Sequence, residues 1–392
     1  MTSSSIGVAV IGAGMAGRAH AAAYRAAPTA FGPGLPDVRT VAIADMDEAF
    51  AAETARRFGY RRAESCWEAI ADAADVDAVS VVVANHLHRE IVEGLLSAGK
   101  HVLCEKPLAP TIEDAEAMVD AAEASAGVAA VGFTFRRSPA VAAIQGLLEG
   151  GGIGRPVHFN GHYWCDYGCD PKGPMSWRYK GGAGSGALSD IGSHLVDLAE
   201  FLCGPIRSVR GAVLATVIPE RPVPLGTAVG HAAVPVSNRL EPVENEDLVT
   251  FTATFASGAA GTFSASRVAH GLPNSLGFEV FAESGAATFD LARAGEFGFS
   301  DGAPAAVTNG YRRVLIGPGH PYVTGGLPMD FASVNHGQND LFVWQARAFL
   351  EQIAGLDRLP PTASFQDGLR NVRLLRAVVD SAQAGGTEVS VA

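Results

Sequence analysis

Long apolar segments, clustered cysteines and an excess of positive charge are all absent from this sequence of 392 residues. No apolar run approaches the roughly 20 residues that a membrane-spanning helix needs, so we expect no transmembrane segment. The five cysteines are odd in number and scattered, which argues against a disulfide framework. Basic side chains number 29 against 41 acidic ones, and the net charge of −12 argues against nucleic acid or an anionic membrane as a partner.

A targeting signal is also missing from the start of the sequence. The segment from Met1 to Ser5 has no basic side chain and leads directly into an apolar run. Together with the scattered cysteines, this predicts a protein without a signal peptide and with a cytoplasmic location.

One group of side chains has the residue types of a metal site. Cys165 and Cys169 have His162 and Asp166 near them in the sequence. A C-x-x-x-C spacing is unusual for zinc and no second pair follows, so we predict no metal.

The composition that remains is that of a packed globular protein. Hydrophobic residues make up 48% of the chain and charged residues 18%. A chain of this length exceeds one ordinary hydrophobic core, so we expect two domains.

A glycine motif near the start predicts a dinucleotide-binding turn. The apolar run from Ile6 to Ile11 leads into three glycines spaced G-x-G-x-x-G, and an alanine-rich helical segment follows. In such a strand–turn–helix unit the first glycine permits the turn, the second lets a pyrophosphate approach, and the third lets the helix pack on the strand. The alternative is an ordinary glycine turn in an α/β sheet. The predicted cofactor contacts here are Gly12, Gly14, Met15, Ala16 and Gly17.

Asp45 ends a second apolar run, from Val38 to Ala44. A carboxylate at this point accepts both hydroxyls of an adenosine ribose and repels a 2′-phosphate, so the sequence predicts NAD rather than NADP. The alternative is that Asp45 caps the helix that starts near Asp47.

Polar residues follow each later strand of the first third of the chain. The buried strand Ala78 to Val83 is followed by Asn85, the strand Lys100 to Cys104 by Glu105, and the strand Val128 to Phe133 by Thr134. Because the carboxyl ends of parallel strands meet at one sheet edge, we expect a ligand site there.

The pattern changes after about Glu149, where several glycines mark a boundary. Strand-like segments with hairpin turns then predict a mostly antiparallel sheet. One helix stands out, from Ser189 to Leu202, because Asp190 and His194 share one of its faces at spacing i, i+4. Two helices, about Asp340 to Glu351 and Phe365 to Ala382, close the chain. The stretch from Pro219 to Pro242 is predicted to be a loop.

These residues resemble the Gfo/Idh/MocA family of NAD(P)-dependent oxidoreductases over nearly the whole chain. The resemblance rests on the glycine motif, on Glu105-Lys106-Pro107, on Arg136 and on the run from Gly184 to His194 with Asp197 after it. It is nearest to the levoglucosan-dehydrogenase-like and the inositol- or glycoside-dehydrogenase-like branches. Two positions depart from the family pattern: Ala84 stands where threonine is frequent, and Thr134 stands where asparagine is frequent.

The resemblance implies a fold and a division of labour. Residues 1–135 would form a Rossmann domain with a doubly wound parallel sheet that binds NAD. Residues 136–392 would form an α+β domain on a large, mostly antiparallel open sheet, which binds substrate and forms a homodimer or homotetramer. It also implies further cofactor contacts at Ala84, Asn85, His88, Glu105, Lys106 and Arg136.

The catalytic set that the resemblance implies is Lys106, Asp190 and His194. An alcohol gives up hydride readily only when its hydroxyl loses a proton, and histidine suits the base because its ordinary pKa lies near neutral pH. A lysine can stabilise the developing negative charge on the same oxygen. Asp190 would orient either group or bind a neighbouring hydroxyl. A core histidine and a surface lysine are the alternatives.

Trp177 and Arg178 are predicted to bind substrate, together with the catalytic residues. An aromatic ring packs on the apolar face of a sugar ring, and a guanidinium donates to its oxygens. A buried structural tryptophan is the alternative.

The predicted reaction is therefore NAD-dependent oxidation of a secondary hydroxyl of a sugar, cyclitol, anhydrosugar or glycoside to a ketone. Three alternatives stay open: a biosynthetic dehydrogenase of an amino sugar or aminoglycoside, glycoside cleavage through a 3-keto intermediate, and a non-catalytic NAD-binding sensor or scaffold.

Overall fold

The computed structural model describes residues 5–226, 234–302 and 307–391. Contacts divide the chain into two units. The first comprises Met1–Arg137, Thr324–Met329 and Gly337–Val372, and the second comprises Ser138–Val323, Asp330–His336 and Arg373–Ala392. Two segments of the first unit, Thr324–Met329 and Gly337–Val372, lie within residues 136–392. The family resemblance implied substrate binding and oligomerisation for that range. Those roles stay predictions.

The strands of the described residues are numbered in chain order: β1 (Ser5–Ile11), β2 (Asp37–Ala44), β3 (Arg62–Glu64), β4 (Ala78–Val81), β5 (His101–Cys104), β6 (Ala129–Val131), β7 (Pro156–Trp164), β8 (Ile206–Ala215), β9 (Glu220–Pro224), β10 (Val236–Pro242), β11 (Leu248–Phe255), β12 (Ala260–Ser266), β13 (Ser275–Ala282), β14 (Gly285–Asp290), β15 (Glu296–Ser300), β16 (Arg312–Leu315), β17 (Ala363–Ser364) and β18 (Val389–Ser390).

The α-helices are numbered in the same way: α1 (Met15–Ala26), α2 (Glu48–Phe58), α3 (Glu68–Ala71), α4 (His88–Ser97), α5 (Ile112–Ala124), α6 (Pro139–Glu149), α7 (Ser193–Cys203), α8 (Gln338–Ile353) and α9 (Phe365–Gln383). A π-helical turn, Leu188–Gly192, leads directly into α7.

The first unit is built on a seven-stranded sheet of order β17-β6-β5-β4-β1-β2-β3. Strands β1 to β6 pair in parallel, and only β17 runs antiparallel to its neighbour β6. The order reverses between β1 and β4, which is the point where ligands bind in doubly wound folds. The predicted Rossmann architecture is confirmed.

Apolar side chains on both faces explain why these strands are parallel and buried. On one face, residues of β1 and α1 pack with Phe349 and Leu350 of α8, so the chain returns to this sheet late in the sequence. On the other face, Ile91 and Leu95 of α4 and Met118 of α5 pack over the same strands. The sheet therefore lies between two helical layers.

The second unit is built on a nine-stranded sheet of order β16-β15-β14-β13-β7-β12-β11-β8-β18. Adjacent strands are antiparallel except for the parallel pair β7 and β12, so the predicted, mostly antiparallel sheet is confirmed. Burial alternates along β11 and β12, as in a sheet with one covered face. Phe159, Phe251 and Phe263 pack together on the covered face, where a side chain at Gly161 would collide with Leu195 of α7.

One prediction about this unit is wrong. The stretch from Pro219 to Pro242, predicted to be a loop, contains β9 and β10, which pair antiparallel as a separate two-stranded sheet. Proline lacks an amide donor but is tolerated where a strand has only one neighbour. The high proline content therefore suggested a loop although two strands pair there. Residues 227–233 of that stretch lie outside the described residues.

Candidate active site

The glycine motif forms a tight turn between β1 and α1 in the first unit. Gly12 has φ of +102°, and a side chain there would meet the carbonyl oxygen of Val82. A side chain at Gly17 would collide with the carbonyl oxygen of Gly12, which explains the close packing of helix on strand. Around Gly14, by contrast, the space is open. Gly14 is the N-cap of α1, and the first turn of that helix has no acidic residue.

This turn fits the pyrophosphate of a dinucleotide. Backbone amides at a helix N-terminus attract an anion, and an acidic side chain in the first turn would repel it. Met15 and Ala16 begin the helix, and the side chain of Met15 is exposed. Their amide groups belong to the first turn of the helix, and their contacts with phosphate stay a prediction.

Asp45 follows β2 and braces the glycine turn. Its Oδ2 accepts a hydrogen bond from the amide of Ala13 at 2.7 Å, and its Oδ1 accepts from the amide of Asp47 at 2.9 Å. The alternative that Asp45 caps the next helix is wrong, because the N-cap of α2 is Asp47, whose carboxylate accepts from Ala49 and Phe50. A carboxylate has about four acceptor sites, so Asp45 retains capacity for ribose hydroxyls.

Two of the predicted cofactor residues after β4 are half-buried and one is buried. Ala84 and Asn85 are half-buried around a 3-10 turn, Asn85–Leu87. The ring of His88 is buried, with Nδ1 3.1 Å from the carbonyl oxygen of Leu108 and Nε2 3.2 Å from that of Val83. Burial lowers the pKa of His88, although these carbonyls oppose the shift. The ring therefore lies between the turn after β4 and the backbone that follows Pro107.

The predicted cofactor residue Arg136 lies after β6. Its guanidinium pairs with Asp367 at 3.3 Å and lies over the ring of Phe133. Burial would raise the pKa of Asp367, but the charge of Arg136 and hydrogen bonds from Ser364 hold it below its usual value. Arg136 thus has a fixed position within the first unit.

Glu105 and Lys106 extend from the end of β5, and the peptide bond between Lys106 and Pro107 is cis. The Glu105 carboxylate turns inward: Oε1 lies 2.9 Å from Nε2 of His20, and Oε2 accepts from the amide of Lys106 at 3.2 Å. Burial would raise the pKa of Glu105, but the His20 hydrogen bond and the charges of His20 and Lys106 lower it. Glu105 therefore holds the backbone of Lys106 by accepting a hydrogen bond from its amide.

Asp190 and His194 lie in the second unit, on the π-helical turn and on α7. In the run of residues 186–199, these two are half-exposed and every other position is buried. π-helical turns inside helices are frequent at functional sites. The ring of His194 lies 6.1 Å from that of Tyr163. The helix thus presents a carboxylate and an imidazole from an otherwise packed surface.

A small cluster surrounds the Asp190 carboxylate. The hydroxyl of Tyr167 donates to Asp190 Oδ2 at 2.7 Å, and Nε of Arg178 lies 3.5 Å from the same oxygen. Burial, then the charge of Asp190, raises the pKa of Tyr167, so the phenol stays protonated and remains a donor. The Arg178 guanidinium lies 4.5 Å from the ring centre of Trp177. Trp177 is 49% exposed, so the buried-tryptophan alternative is wrong.

A buried polar network fixes the backbone around this cluster. Both oxygens of Glu246 accept from amides, those of Gly184 and Leu188, at 2.8 and 2.9 Å. Burial raises the pKa of Glu246, and these two bonds oppose the shift. Beside it, the buried Arg267 donates to Asp247 and to the carbonyl oxygen of Arg178, each at 2.8 Å.

The structure therefore groups the predicted residues unit by unit. The glycine turn with Asp45, and Glu105 with Lys106, belong to the first unit, whereas Arg178, Asp190, His194 and Trp177 belong to the second. Three supporting residues were not singled out from the sequence: His20, Tyr167 and Glu246. His20 carried one signal, because it follows Gly17 by three positions and so lies on the same helix face.

Comparison with known families decides the relationship. Residues 6–133 match the model of an oxidoreductase family with an NAD-binding Rossmann fold, and residues 141–288 match the Gfo/Idh/MocA C-terminal domain. The chain belongs to the Gfo/Idh/MocA family. A levoglucosan dehydrogenase of Pseudarthrobacter phenanthrenivorans is 40% identical over 382 residues, with 96% of each chain covered.

Solved structures of Gfo/Idh/MocA proteins are similar over the whole chain. A levoglucosan dehydrogenase in complex with NADH and L-sorbose has a TM-score of 0.90 and 37% identity, with 99% of each chain covered. An oxidoreductase domain protein from Kribbella flavida has a TM-score of 0.88 and 36% identity, with complete coverage of both. The predicted family, the oxidoreductase class and the cofactor NAD are confirmed.

Within the described ranges the chain has neither a candidate membrane span nor a candidate metal site. No helix among residues 5–226, 234–302 and 307–391 is long and apolar enough to cross a membrane. In the same ranges, no three His, Cys, Asp or Glu side chains form a group that could hold a metal ion.

Proposed function

We propose that this oxidoreductase oxidises a secondary hydroxyl of a sugar, cyclitol, anhydrosugar or glycoside to a ketone. The observation that carries the proposal is that Asp190 and His194 are the half-exposed residues of an otherwise buried helical run. Tyr167 and Arg178 lie around the Asp190 carboxylate. The similarity to levoglucosan dehydrogenase makes an anhydrosugar the first substrate to test.

The reaction removes a hydride from carbon and a proton from oxygen. NAD, when bound, supplies the hydride acceptor. Gly12, Gly14 and Gly17 would hold the pyrophosphate, and Asp45 the adenosine ribose. The proposed contacts of the remaining cofactor residues rest on the family resemblance: Met15, Ala16, Ala84, Asn85, His88, Glu105 and Arg136.

His194 is the proposed proton acceptor. As the hydroxyl proton moves to its imidazole, negative charge grows on the substrate oxygen, and the ammonium of Lys106 stabilises that charge. Asp190, oriented by Tyr167, aligns the substrate hydroxyls. The C–H electron pair leaves as hydride while the C=O bond forms, so atoms and charge balance.

Trp177 and Arg178 are the proposed substrate-binding surface. An exposed indole offers a flat apolar face to a sugar ring, and the guanidinium beside it keeps polar donors at its edge. A platform of this type favours a ring-shaped polyol over a linear one.

A substrate screen tests the proposal. The purified protein is incubated with NAD and a panel of levoglucosan, inositols, monosaccharides, glycosides and aminoglycosides, and NADH absorbance is followed. Product analysis by NMR separates a stable ketone from glycoside cleavage. No NADH with any member of the panel would refute the function.

Lys106→Ala is the matched test of the proposed chemistry. The charge-stabilising donor acts mainly in the transition state, so turnover should fall by about 10²- to 10³-fold while NAD binding stays nearly unchanged. Lys172→Ala removes an exposed lysine and should change neither quantity. Wild-type turnover in Lys106→Ala would remove Lys106 from the mechanism.

The homodimer or homotetramer also stays a proposal. The uncovered face of the sheet in the second unit supports it, since β11 and β12 alternate between buried and accessible positions. Sedimentation velocity measures the state directly.

A further inference from the structure

A chain of buried polar groups crosses the interior of the first unit. The Tyr24 hydroxyl lies 2.8 Å from Oγ of Ser80, which lies 3.0 Å from Nδ1 of His20. Nε2 of His20 lies 2.9 Å from Oε1 of Glu105, whose other oxygen accepts from the amide of Lys106. The chain therefore starts on α1, passes through β4 and ends at the segment after β5.

The ionised Glu105 carboxylate fixes the direction of the hydrogen bond from His20. Glu105 has a lowered pKa and is ionised near neutral pH, so it accepts, and Nε2 of His20 must carry a hydrogen. Nδ1 faces the Ser80 hydroxyl, which can either donate or accept at this position. Burial raises the pKa of Tyr24, so the phenol stays protonated and can donate to Ser80. Each of these four side chains therefore has a hydrogen-bond partner in the interior.

The Glu105 carboxylate has little room to move. Its side chain is 12% exposed, and a side chain at Gly132 would come within 2.5 Å of its Oε1. On the opposite side it faces His20, whose side chain is 2% exposed and meets the ring of Phe342 edge-on. The position of Glu105 is therefore set by the position of His20.

We propose that His20 is a positioning residue for the hydride-transfer reaction. Its ring holds the Glu105 carboxylate, which holds the backbone of Lys106, and it does so from the same helix whose N-terminus receives the cofactor phosphates. The inference rests on the proposed function of Lys106. A purely apolar contact would pack these elements without burying polar groups. We therefore infer that this series of hydrogen bonds serves to place Lys106.

Two isosteric variants separate the halves of the His20 ring. In His20→Gln the amide nitrogen takes the place of Nε2 and keeps the bond to Glu105. In His20→Asn the amide takes the place of Nδ1, keeps the bond to Ser80 and loses Glu105. A displacement of a reacting group by about 1 Å can cost about 10²-fold, so we expect kcat to fall roughly 10- to 100-fold in His20→Asn.

His20→Gln should recover kcat to within several-fold of wild type, and the Kd for NADH should change little in either variant. Tyr24→Phe is the control for losing a buried hydrogen bond at the far end of the chain. Its thermal midpoint should fall while its kcat stays near that of wild type. A purely structural role for His20 predicts instead that kcat follows the thermal midpoint in all three variants.

A second measurement does not depend on turnover. The chain has four lysines, Lys100, Lys106, Lys172 and Lys180, so acetylation of each can be followed by mass spectrometry. The labelling rate of Lys106, relative to the exposed Lys172, should change in His20→Asn and return in His20→Gln. If His20→Asn does not fold, Glu105→Gln, which keeps the size of the side chain and removes its charge, should show the same loss of kcat and the same change in labelling.

The outcomes are distinguishable. If the wild type oxidises no sugar, or if Lys106→Ala retains turnover, the proposed function fails while the labelling still reports on positioning. If His20→Asn and His20→Gln have equal kcat and equal Lys106 labelling, the positioning role is overturned. The proposal is supported if kcat falls in His20→Asn and recovers in His20→Gln. It also requires that kcat falls no further when His20→Asn is combined with Glu105→Gln.

Discussion

Asp45 should decide the choice between NAD and NADP. Its half-buried carboxylate stands after β2 and is fixed at both oxygens by backbone amides, so it cannot turn away from an added 2′-phosphate. Two unit charges about 4 Å apart repel each other by about 1 kcal/mol in water and about 4 kcal/mol near a protein surface. That range corresponds to a preference for NAD of roughly 5- to 1,000-fold.

Two variants divide this effect into charge and hydrogen bonding. Asp45→Asn and Asp45→Ala both remove the charge. Both should therefore lower the preference for NAD, measured as kcat/KM with NAD divided by kcat/KM with NADP, by a similar factor. Only Asp45→Asn keeps an oxygen that can accept from the Ala13 amide. Asp45→Ala should therefore weaken NADH binding more, by about 1 kcal/mol for the lost bond, or roughly fivefold in Kd.

The assay is initial-rate kinetics with each cofactor at a saturating sugar concentration, beside NADH fluorescence titration. Asp47→Asn is the matched control: it removes a charge two residues away, and asparagine is an equally good N-cap for α2. It should leave the cofactor ratio unchanged. Equal efficiency of the wild type with NADP, or an unchanged ratio in both Asp45 variants, would refute the reasoning.

Three further predictions follow from the second unit. His194→Asn should lower oxidation by about 10²- to 10⁴-fold and abolish the rise of the rate with pH near neutrality, with the thermal midpoint as the control for folding; an unchanged pH–rate profile would move the base role elsewhere. Asp247→Asn leaves the buried Arg267 guanidinium without its carboxylate and should cost about 3–5 kcal/mol of unfolding free energy, read from denaturant titration; a loss below 1 kcal/mol would contradict the pairing. Trp177→Ala should raise KM for the sugar and leave the Kd for NADH unchanged, whereas an unchanged KM would exclude the ring as a sugar platform.

The first unit was predictable where the signal was local. Short stretches of sequence were enough to predict the glycine turn, Asp45 and the strands of the parallel sheet. The turn and the strands need particular residue types at fixed spacing. The return of α8 to this sheet was not predictable in the same way. Its Phe349 and Leu350 join residues more than 300 positions earlier, and an amphipathic helix carries no mark of which sheet it covers.

The supporting groups of the site were hidden for the same reason. His20 and Glu105 are 85 positions apart, and Glu246 meets the amide of Leu188 across 58 positions. Hydrogen bonds at such separations leave no periodicity in the sequence. Tyr167 lay inside the segment that suggested a metal, between Cys165 and Cys169, and its value as a donor to Asp190 emerges only once the backbone folds.

The packing of the helical run at residues 186–199 has a consequence for how this enzyme could acquire new substrates. Because every position there except Asp190 and His194 is buried, substitutions in the run would create cavities or clashes before they altered recognition. The 3-10 turn around Trp177 carries no such constraint at its exposed indole. Directed evolution toward a different sugar should therefore accumulate its changes in that turn and leave the helix untouched.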